Sequence, residues 1–421
     1  MSAVFENSPD LPRLFVTANG PGEVMGWVRP FLRAIYHQQP AANVTVVLVP
    51  CTYATGHEAE MLRRLFPQAE VIDRESYAQF LLGKSVPALQ RSEGALQYLG
   101  GDLFHAVMIA RRLGLAAMTY KFTKRSYARI FERFFALDEA NAQTLRANAA
   151  PPDRVRTVGN LVFDAVMQSL PAPPPAPGVG DGVCIMPGSR PYEVRYLTPF
   201  FIAAACQLKR LRPSTDVRFV VSAYTSDAEL QLGIEGGGDP KFFGRAGRFD
   251  RSANEIDVDG MRFPIERSGD YGALARSQLV ITIPGTKCVE AAILGRPVLV
   301  VIPLNRLDPI AMNGLGAYLH LIPLIGRPLK NWLARTVAKR FRFLAQPNID
   351  AGRLVTPEMR GILKPIAVAQ EANELLERPD DMRRIGSELA ALYEEHAGAA
   401  GRMALEALAI TNRTRAHSLS V

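Results

Sequence analysis

Two rounds of alternating strand-like and helix-like segments, separated by a proline-rich stretch, constrain the fold of this chain most. In the first round, the apolar runs RLFVTA (13–18) and NVTVVLVP (43–50) alternate with segments of helical spacing at 25–36 and 58–66. Apolar strands that alternate with helices are typical of parallel sheets covered on both faces. The first half is therefore predicted to form a Rossmann-like α/β domain over residues 1–169.

The stretch LPAPPPAPGVGDG, residues 170–182, interrupts this alternation. Proline at this density favours a stiff, extended conformation, and the glycines that follow favour a change of direction. We interpret 170–182 as a linker, because the strand–helix alternation begins again after it and defines a second domain at 183–385. The helical segments at 386–421 are interpreted as a C-terminal tail. The predicted fold class is α/β, with two Rossmann-like parallel-sheet domains and a ligand cleft between them.

Composition limits the partners and the compartment. The formal net charge is +8 and the sequence pI is about 9.4, which favours anionic partners such as nucleotide phosphates or phospholipid headgroups. The four cysteines form no CxxC pair, so neither a metal cluster nor a disulfide framework is expected. The N-terminal MSAVFENSPD lacks the apolar region of a signal peptide, and we expect a cytoplasmic protein.

The segment IMPGSRPYEVR (185–195) passes from an apolar strand into a helical pattern. Gly188 permits a tight turn, Ser189 can donate a hydrogen bond, and Arg190 offers two parallel donors to a phosphate. Glu193 follows and can pair with Arg190 or Arg195. Ligands of parallel α/β sheets bind at the carboxyl ends of strands, so this turn is predicted to hold a phosphate. The alternative is an ordinary turn with a surface arginine.

A second turn of the same kind occurs in IPGTKCVEAAILGRP (283–297). The free amides and positive dipole end of the helix that follows Gly285 favour an anion, and Thr286 is predicted to cap that helix. Glu290 lies one turn further on the same side and could accept hydrogen bonds from two ribose hydroxyls. The alternative is a capped core helix with a solvated glutamate.

Five segments, taken in chain order, resemble lipid-A-disaccharide synthases, which are glycosyltransferases of the GT-B architecture. They are GPGEVMGWVRPFLRAI (20–35), TVGNLVFDAV (157–166), the two turns with their helices (186–208 and 284–301), and QPNIDAGRLVTPEMRG (346–361). The resemblance implies a UDP-sugar-dependent transferase that acts on a lipid acceptor and inverts the anomeric carbon. An N-acetylglucosamine-type sugar is the expected donor group.

The resemblance also implies roles for individual residues. Arg190 and the turn at 284–286 would hold the pyrophosphate, Glu290 the ribose, and Asn348 and Arg353 the neighbouring cleft. It implies no metal and no cofactor beyond the UDP-sugar, because cationic side chains and the helix end would neutralise the departing diphosphate.

This chain departs from the family at several positions. Pro284 and Lys287 stand where the family has serine and a small residue, and Lys287 could add a charge to the phosphate site. The family's D.PDFN segment, with its catalytic aspartate, corresponds to the region YLGGDLFHAVMIARRLGL, in which the aspartate is displaced to Asp102. TYKFTKRSYARIF replaces the family's SPSVWAW. Donor binding is therefore expected to carry over, whereas the identity of the acceptor is not.

An inverting transfer needs a general base for the acceptor hydroxyl. Asp102 follows two glycines at a predicted helix start, with His105 one turn further as a candidate partner. Glu23, in NGPGEVMG, is a substrate contact or alternative base at the end of the first strand, where Gly20 and Gly22 let the backbone approach a ligand closely. The alternatives are helix capping for Asp102 and a structural role for His105.

The region 309–344 is predicted to contact a membrane surface. Residues 309–326 carry no Lys, Arg, Asp or Glu, whereas 326–344 carry six Lys or Arg and no acid, with Trp332 among the apolar positions. Such a composition favours an interfacial anchor on anionic lipid over a membrane span. The alternative is a solvated basic helix packed on the core. A second basic–aromatic segment lies at 120–135, but no nucleic-acid-binding module accompanies either.

The leading hypothesis is a peripheral glycosyltransferase on the inner face of the membrane that moves a sugar from UDP to a lipid or glycolipid. A UDP-sugar epimerase and a non-catalytic nucleotide- or lipid-binding homologue are the alternatives. The sequence leaves the sugar, the lipid and the oligomeric state open, with a homodimer among the options.

Overall fold

The computed structural model describes residues 11–418 except 52, 53, 55, 224, 270 and 306–341. The chain forms two compact units. Unit 1 combines Met1–Gln168 with Glu395–Val421, and unit 2 is Ser169–Glu394. The predicted linker at 170–182 is therefore part of unit 2, and the predicted tail at 386–421 is divided between the units.

Seven parallel strands form the sheet of unit 1, in the order β3-β2-β1-β4-β5-β6-β7. The chain first builds β2 and β3 on one side of β1 and then crosses to β4 on its other side, so the order reverses between β1 and β4. The strands are β1 (Arg13–Ala18), β2 (Asn43–Leu48), β3 (Glu70–Ile72), β4 (Gly94–Tyr98), β5 (Ala116–Tyr120), β6 (Phe131–Ala136) and β7 (Val155–Thr157).

Helices cover both faces of this sheet, as the continuous apolar strands predict. Successive residues of β1 point to opposite faces, so Phe15 belongs to one buried cluster and Val16 to the other. The helices are α1 (Pro21–Glu23), a π-helical turn (Val24–Val28), α2 (Arg29–Gln38), α3 (Glu58–Leu65), α4 (Arg74–Leu81), α5 (Leu103–Leu113), α6 (Glu139–Ala147) and α7 (Leu161–Met167), with 3₁₀ turns at Pro87–Leu89 and Pro152–Arg154.

Eight strands form the sheet of unit 2, in the order β10-β11-β12-β9-β8-β13-β14-β15. Pairing is parallel from β12 to β15 along this order and antiparallel between β10, β11 and β12. The strands are β8 (Val183–Met186), β9 (Val217–Ser222), β10 (Arg248–Asp250), β11 (Glu255–Val258), β12 (Met261–Ser268), β13 (Leu279–Thr282), β14 (Val298–Pro303) and β15 (Glu358–Gly361).

The longest helix of unit 2, α8, buries one apolar face on the sheet, with Phe200 and Phe201 fully buried. The described helices of this unit are α8 (Pro191–Leu211), α9 (Asp227–Glu235), α10 (Gly272–Arg276), α11 (Thr286–Ile293), α12 (Gln346–Ala351), α13 (Pro365–Leu376) and α14 (Pro379–Glu394), with a 3₁₀ turn at Pro240–Phe242.

The chain returns to unit 1 through a last helix, α15 (Ala399–Ser418). The buried carboxylate of Asp164 accepts hydrogen bonds from the Gly398 and Ala400 amides at the start of this helix, and the Arg402 guanidinium donates to the Val158 carbonyl. A carboxylate at a helix N-terminus satisfies free amides and complements the helix dipole. The segment TVGNLVFDAV thus fixes the C-terminal helix to unit 1.

The predicted membrane segment at 309–344 lies outside the described residues, apart from 342–344. Within the part of the chain that the structure describes, every helix is too short or too polar to cross a bilayer.

A buried arginine holds the proline-rich stretch against unit 2. Arg296 is fully buried and donates to the carbonyl of Leu294 at 2.8 Å, to that of Pro175 at 2.8 Å and to that of Ala176 at 2.6 Å. It also donates to the carbonyl of Val179. Burial lowers the pKa of Arg296 to about 10, so the guanidinium stays charged at neutral pH. The residues we interpreted as a stiff linker between domains are therefore bound to the unit that follows them.

The substitution Arg296→Met should loosen this segment. It leaves several buried carbonyls without a donor, and we expect a loss of about 2–5 kcal/mol in the stability of unit 2. Thermal unfolding should shift to lower temperature, and proteinase K should cleave within 170–182 faster than in the wild type. Arg276→Met, at an exposed position of the same unit, is the matched control. Equal unfolding temperatures and equal cleavage rates in both variants would contradict the conclusion that Arg296 holds residues 170–182 against unit 2.

Candidate functional site

The two predicted phosphate turns lie side by side at the carboxyl edge of the second sheet. The strand before the first turn, β8, pairs in parallel with the strand before the second, β13, with Met186 opposite Thr282. Parallel neighbours are about 4.8 Å apart, and the Thr282 hydroxyl donates to the Met186 carbonyl at 3.0 Å. Because β9 lies on the other side of β8, the strand order reverses here, and such a switch point is where open α/β sheets bind ligands.

In the first turn, the amides that could hold an anion already face an internal carboxylate. Glu193 Oε2 accepts from the backbone N–H of Ser189 at 2.9 Å and of Arg190 at 3.1 Å. Gly188 has φ of +124°, and a Cβ there would lie 2.5 Å from the Glu193 side chain. The carboxylate is thus packed into the turn that only glycine can form.

The guanidinium of Arg190 lies beside this carboxylate. Its Nη1 is 3.5 Å from Glu193 Oε1 and 3.2 Å from the Tyr192 hydroxyl, which donates to the same carboxylate oxygen at 3.0 Å. Of the two partners that the sequence left open for Glu193, Arg190 and Arg195, the structure shows the pairing with Arg190. The Arg190 side chain remains 42% exposed, so the structure holds it at the turn while leaving it accessible to a ligand.

The second turn has a similar charge arrangement. Lys287 Nζ lies 2.7 Å from Glu290 Oε2, and the ammonium also lies 5.8 Å from the Tyr271 ring centre. Glu290 is buried, whereas Gly285 and Thr286 are exposed. The prediction that Thr286 caps α11 is wrong, because Gly285 is the capping residue and Thr286 is the first helical one. The position of Gly285, at φ of +157°, suits glycine.

Both turns therefore place a cation three residues before a carboxylate, as Arg190–Glu193 and Lys287–Glu290. Each cation is neutralised locally in this state. A dianionic ligand such as a diphosphate could displace either carboxylate from its cation. The displaced carboxylate could then accept hydrogen bonds from hydroxyl groups.

The catalytic candidates lie at the corresponding point of the first sheet. Glu23 follows β1 and Asp102 follows β4, the two strands between which the strand order reverses. The turns touch: a Cβ on Gly100 would lie 2.7 Å from Asn19 Oδ1 and 3.3 Å from Glu23 Cβ.

The glycines before Glu23 differ in their surroundings. A Cβ on Gly20 would lie 3.1 Å from Glu23 Oε2, so this carboxylate folds back over the turn, whereas a Cβ on Gly22 would meet nothing within 4 Å. Glu23 is followed directly by the π-helical turn Val24–Val28, and such turns are frequent at functional sites.

Asp102 caps α5 and pairs with a lysine. Its Oδ1 accepts from the Phe104 amide at 2.8 Å, and both carboxylate oxygens lie 3.2 Å from Lys124 Nζ. The Phe104 N–H above all, and the Lys124 ammonium, hold the pKa of Asp102 below its usual range. The capping role that the sequence left as an alternative is present, and because the side chain is 56% exposed, capping leaves it within reach of a substrate.

His105 lies one turn further along α5 and is half-buried. Its Nδ1 is 2.9 Å from the hydroxyl of Tyr77, a fully buried residue of α4. Burial lowers the pKa of His105, and the opposing effect of Asp102 is smaller. The imidazole is therefore neutral at pH 7. Tyr77 and Lys124 were not foreseen from the sequence, because they lie 28 and 22 residues from their partners.

Asn348 and Arg353 are engaged within unit 2. Asn348 is fully buried, donates to Thr356 O and Glu358 Oε1, and accepts from the amides of Val355 and Thr356. Arg353 Nη1 pairs with Glu388 at 2.8 Å. The side-chain amide of Asn348 thus holds the loop that follows α12 in place through hydrogen bonds. Helix α12 itself packs against α11. Direct ligand contacts by these two residues stay a prediction.

Candidate metal ligands are not grouped in the residues that the structure describes: no three His, Cys, Asp or Glu side chains converge there.

The fold is the GT-B fold, with two parallel-sheet α/β domains. The UDP complex of MnaA from S. aureus superposes with a TM-score of 0.59 at 12% identity, covering 93% of this chain and 95% of that one. UDP-GlcNAc 2-epimerase from Neisseria meningitidis, solved with UDP-GlcNAc, superposes with a TM-score of 0.53 at 14% identity, covering 94% and 99%. These likenesses show the architecture that the sequence predicts.

The sequence resemblance to lipid-A-disaccharide synthases is also confirmed. The chain is 27% identical over 236 residues to the enzyme of Cellvibrio japonicus, and 28% identical over 236 residues to that of Syntrophus aciditrophicus. Each match covers 55% of this chain and 50% of the relative, so the chain spans about half the length of these curated relatives. No protein-family model matches. The chain is thus similar to lipid-A-disaccharide synthases as a divergent sequence.

The first turn gives a direct prediction. Gly188→Ala places a Cβ on a residue with positive φ and against the side chain of Glu193. This should destabilise the native turn by about 1–3 kcal/mol and displace Arg190. UDP affinity, measured by calorimetry, should fall. Gly401→Ala, where a Cβ would meet nothing within 4 Å, is the control and should bind UDP as the wild type does. Normal UDP binding by Gly188→Ala would remove the first turn from the site.

Proposed function

We propose that this protein is a glycosyltransferase that moves a sugar, of the N-acetylglucosamine type, from a UDP donor to a lipid or glycolipid acceptor with inversion. The observation that carries the proposal is the adjacency of two cation-bearing turns at the switch point of the second sheet. The similarity to lipid-A-disaccharide synthases supports the choice of reaction.

The donor is bound by unit 2 in this proposal. Arg190 and Lys287 leave their carboxylates and bind the diphosphate, helped by the exposed N-terminus of α11 at Gly285 and Thr286. Glu290, released from Lys287, accepts from the ribose hydroxyls. Binding thus replaces each internal ion pair by a contact with the nucleotide, and the same cations stabilise the departing UDP without a metal.

The acceptor is bound by unit 1 in this proposal. Asp102 or Glu23 removes the proton of the attacking hydroxyl, and both lie at the switch point of the first sheet. Asp102 pairs with Lys124 and accepts from the N–H of Phe104, whose ring is exposed. Lys121 and the exposed ring of Phe122, which contact each other, shortly precede Lys124 in the chain. Apolar rings beside cations suit an amphipathic, anionic acceptor, as a phosphorylated lipid would be.

We further propose that the protein works at the cytoplasmic face of a membrane, with 309–344 as its lipid-contacting segment, as a monomer or a homodimer. The composition of this segment is the support, since its residues are basic and aromatic beside an uncharged run.

A UDP-sugar epimerase is the second candidate, because solved 2-epimerases share this fold. Purified protein incubated with UDP-[¹⁴C]N-acetylglucosamine and vesicles of bacterial lipid extract separates the two. Transfer should move radioactivity into the organic phase with stoichiometric release of UDP. Radioactivity that stays in the aqueous phase as an isomerised sugar would favour the epimerase and contradict transfer.

The donor site makes a prediction that needs no acceptor. Glu290→Ala should weaken both UDP and uridine binding by about 10–100-fold, because charged hydrogen bonds to the ribose are lost. Lys287→Met should weaken UDP binding but not uridine binding, because it removes the phosphate contact and also removes the ion pair from which Glu290 must be released to bind the ribose. Calorimetric titration of both ligands into both variants checks this. Equal losses for UDP and uridine in Lys287→Met would show that Lys287 does not bind phosphate.

A further inference from the structure

The contact between Tyr77 and His105 fixes the position of a proton. Tyr77 is fully buried, its hydroxyl lies 2.9 Å from His105 Nδ1, and the two rings meet edge to face at 5.5 Å. The two groups can share one hydrogen in two ways: the phenol donates to a bare Nδ1, or Nδ1–H donates to the phenol oxygen. In a neutral imidazole, Nε2 carries the hydrogen and can donate in the first arrangement, whereas it has a lone pair and can accept in the second.

The first arrangement is favoured because the buried Tyr77 hydroxyl needs a hydrogen-bond acceptor. Burial raises the pKa of Tyr77, so the phenol keeps its proton. If Nδ1 also carried hydrogen, the Tyr77 O–H would have no acceptor among the described residues, and a buried donor without an acceptor is costly. The hydroxyl therefore donates to Nδ1, and the ring hydrogen of the neutral imidazole is on Nε2.

The surroundings keep the imidazole neutral. His105 lies in the first turn of α5, where the helix dipole disfavours a cation. The charged groups around it are Asp102 on its own helix, which is compensated by Lys124 at 3.2 Å, and Arg112, which acts on Tyr77. From α4, the facing titratable group is Tyr77 itself. A neutral histidine near a helix N-terminus that donates rather than accepts is a known catalytic arrangement.

Nε2 is available to a ligand. It bonds to no described residue, and it is not one of the buried polar atoms that lack a partner. The carboxylate of Asp102, one turn away, is an acceptor and 56% exposed. The two side chains thus present a donor and an acceptor to the same region.

We propose that His105 is a neutral hydrogen-bond donor that presents Nε2–H to an oxygen of the acceptor substrate, with Tyr77 as the positioning residue that fixes its tautomer. This inference rests on the proposed function for the existence of an acceptor at the site. It removes His105 from the candidate bases and leaves proton removal to a carboxylate, because an imidazole with hydrogen on Nε2 has no lone pair to offer there.

Nitrogen NMR of the full-length protein with ¹⁵N-labelled histidine tests the tautomer without any activity. The resonance of His105 is identified by its loss in His105→Gln. At pH 7 it should show hydrogen on Nε2 and a bare Nδ1, and Tyr77→Phe should shift it toward a mixture of tautomers. A wild-type signal with hydrogen on Nδ1, or no change in Tyr77→Phe, would overturn the proposal.

Substitutions at His105 test the donor role in catalysis. Glutamine places an amide N–H near the position of Nε2–H but cannot act as a base. We expect His105→Gln to keep kcat/KM within about tenfold of the wild type with an unchanged acid limb of the pH profile, and His105→Ala to lose about 10–100-fold. Equal loss in both variants, with the acid limb abolished, would identify His105 as a base and overturn the proposal.

Two controls separate this inference from the proposed function. UDP affinity should be unchanged in all three variants, because the donor residues are in unit 2. His37→Gln, at an exposed position of α2, should match the wild type in every assay. If the protein catalyses no transfer, the proposed function fails, whereas the NMR result still decides the tautomer that Tyr77 imposes.

Discussion

In each sheet, the first strand of the chain pairs in parallel with a strand that is added later, on the side opposite to the second strand. This pairing determines where the candidate site residues lie. In unit 2 the pair is β8 and β13, and in unit 1 it is β1 and β4. The chain leaves each first strand toward one side of the sheet and later returns on its other side, and open α/β sheets bind ligands at such a point. The candidate site residues other than Asn348 and Arg353 lie in the four loops that follow these strands or in the first two turns of the helices that follow them.

The charges in unit 2 follow from the helices that begin at these loops. A helix N-terminus attracts an anion, and in α8 the protein supplies its own through Glu193, which accepts from two amides. The carboxylate then holds Arg190 at the turn. The second turn differs, because Glu290 lies deeper in its helix and pairs with a lysine side chain. The first turn is therefore organised to position a cation, whereas the second keeps its exposed end for a ligand.

Local patterns predicted much of this structure. The strand RLFVTA is β1 from Arg13 to Ala18, and the residues joining strand to helix at 185–195 and 283–297 form the two turns. These signals are strong because each is carried by consecutive residues. The position of Glu193 limited its predicted partner to Arg190 or Arg195, and the structure shows Arg190.

Contacts between distant residues were not predictable in this way. Asp164 caps a helix that begins more than 230 residues later, and Arg296 binds carbonyls about 120 residues earlier. Neither residue has a local pattern that distinguishes it from a surface charge. The antiparallel strands β10 to β12 were missed for a different reason: β10 and β11 have only three and four residues, and β12 contains Pro264. The Asp259-Gly260 pair between β11 and β12, with both residues at positive φ, is a hairpin signal that the sequence did contain.

The sequence resemblance supports the proposed function of unit 2 more strongly than that of unit 1. In unit 2, two of the three segments that carry the resemblance to lipid-A-disaccharide synthases contain the two turns, so the resemblance and the geometry concern the same residues there. In unit 1, Asp102 is paired with Lys124 and His105 is oriented by Tyr77, and both partners lie outside the segments that carry the resemblance. The proposed donor class is therefore supported by the sequence more directly than the proposed acceptor is.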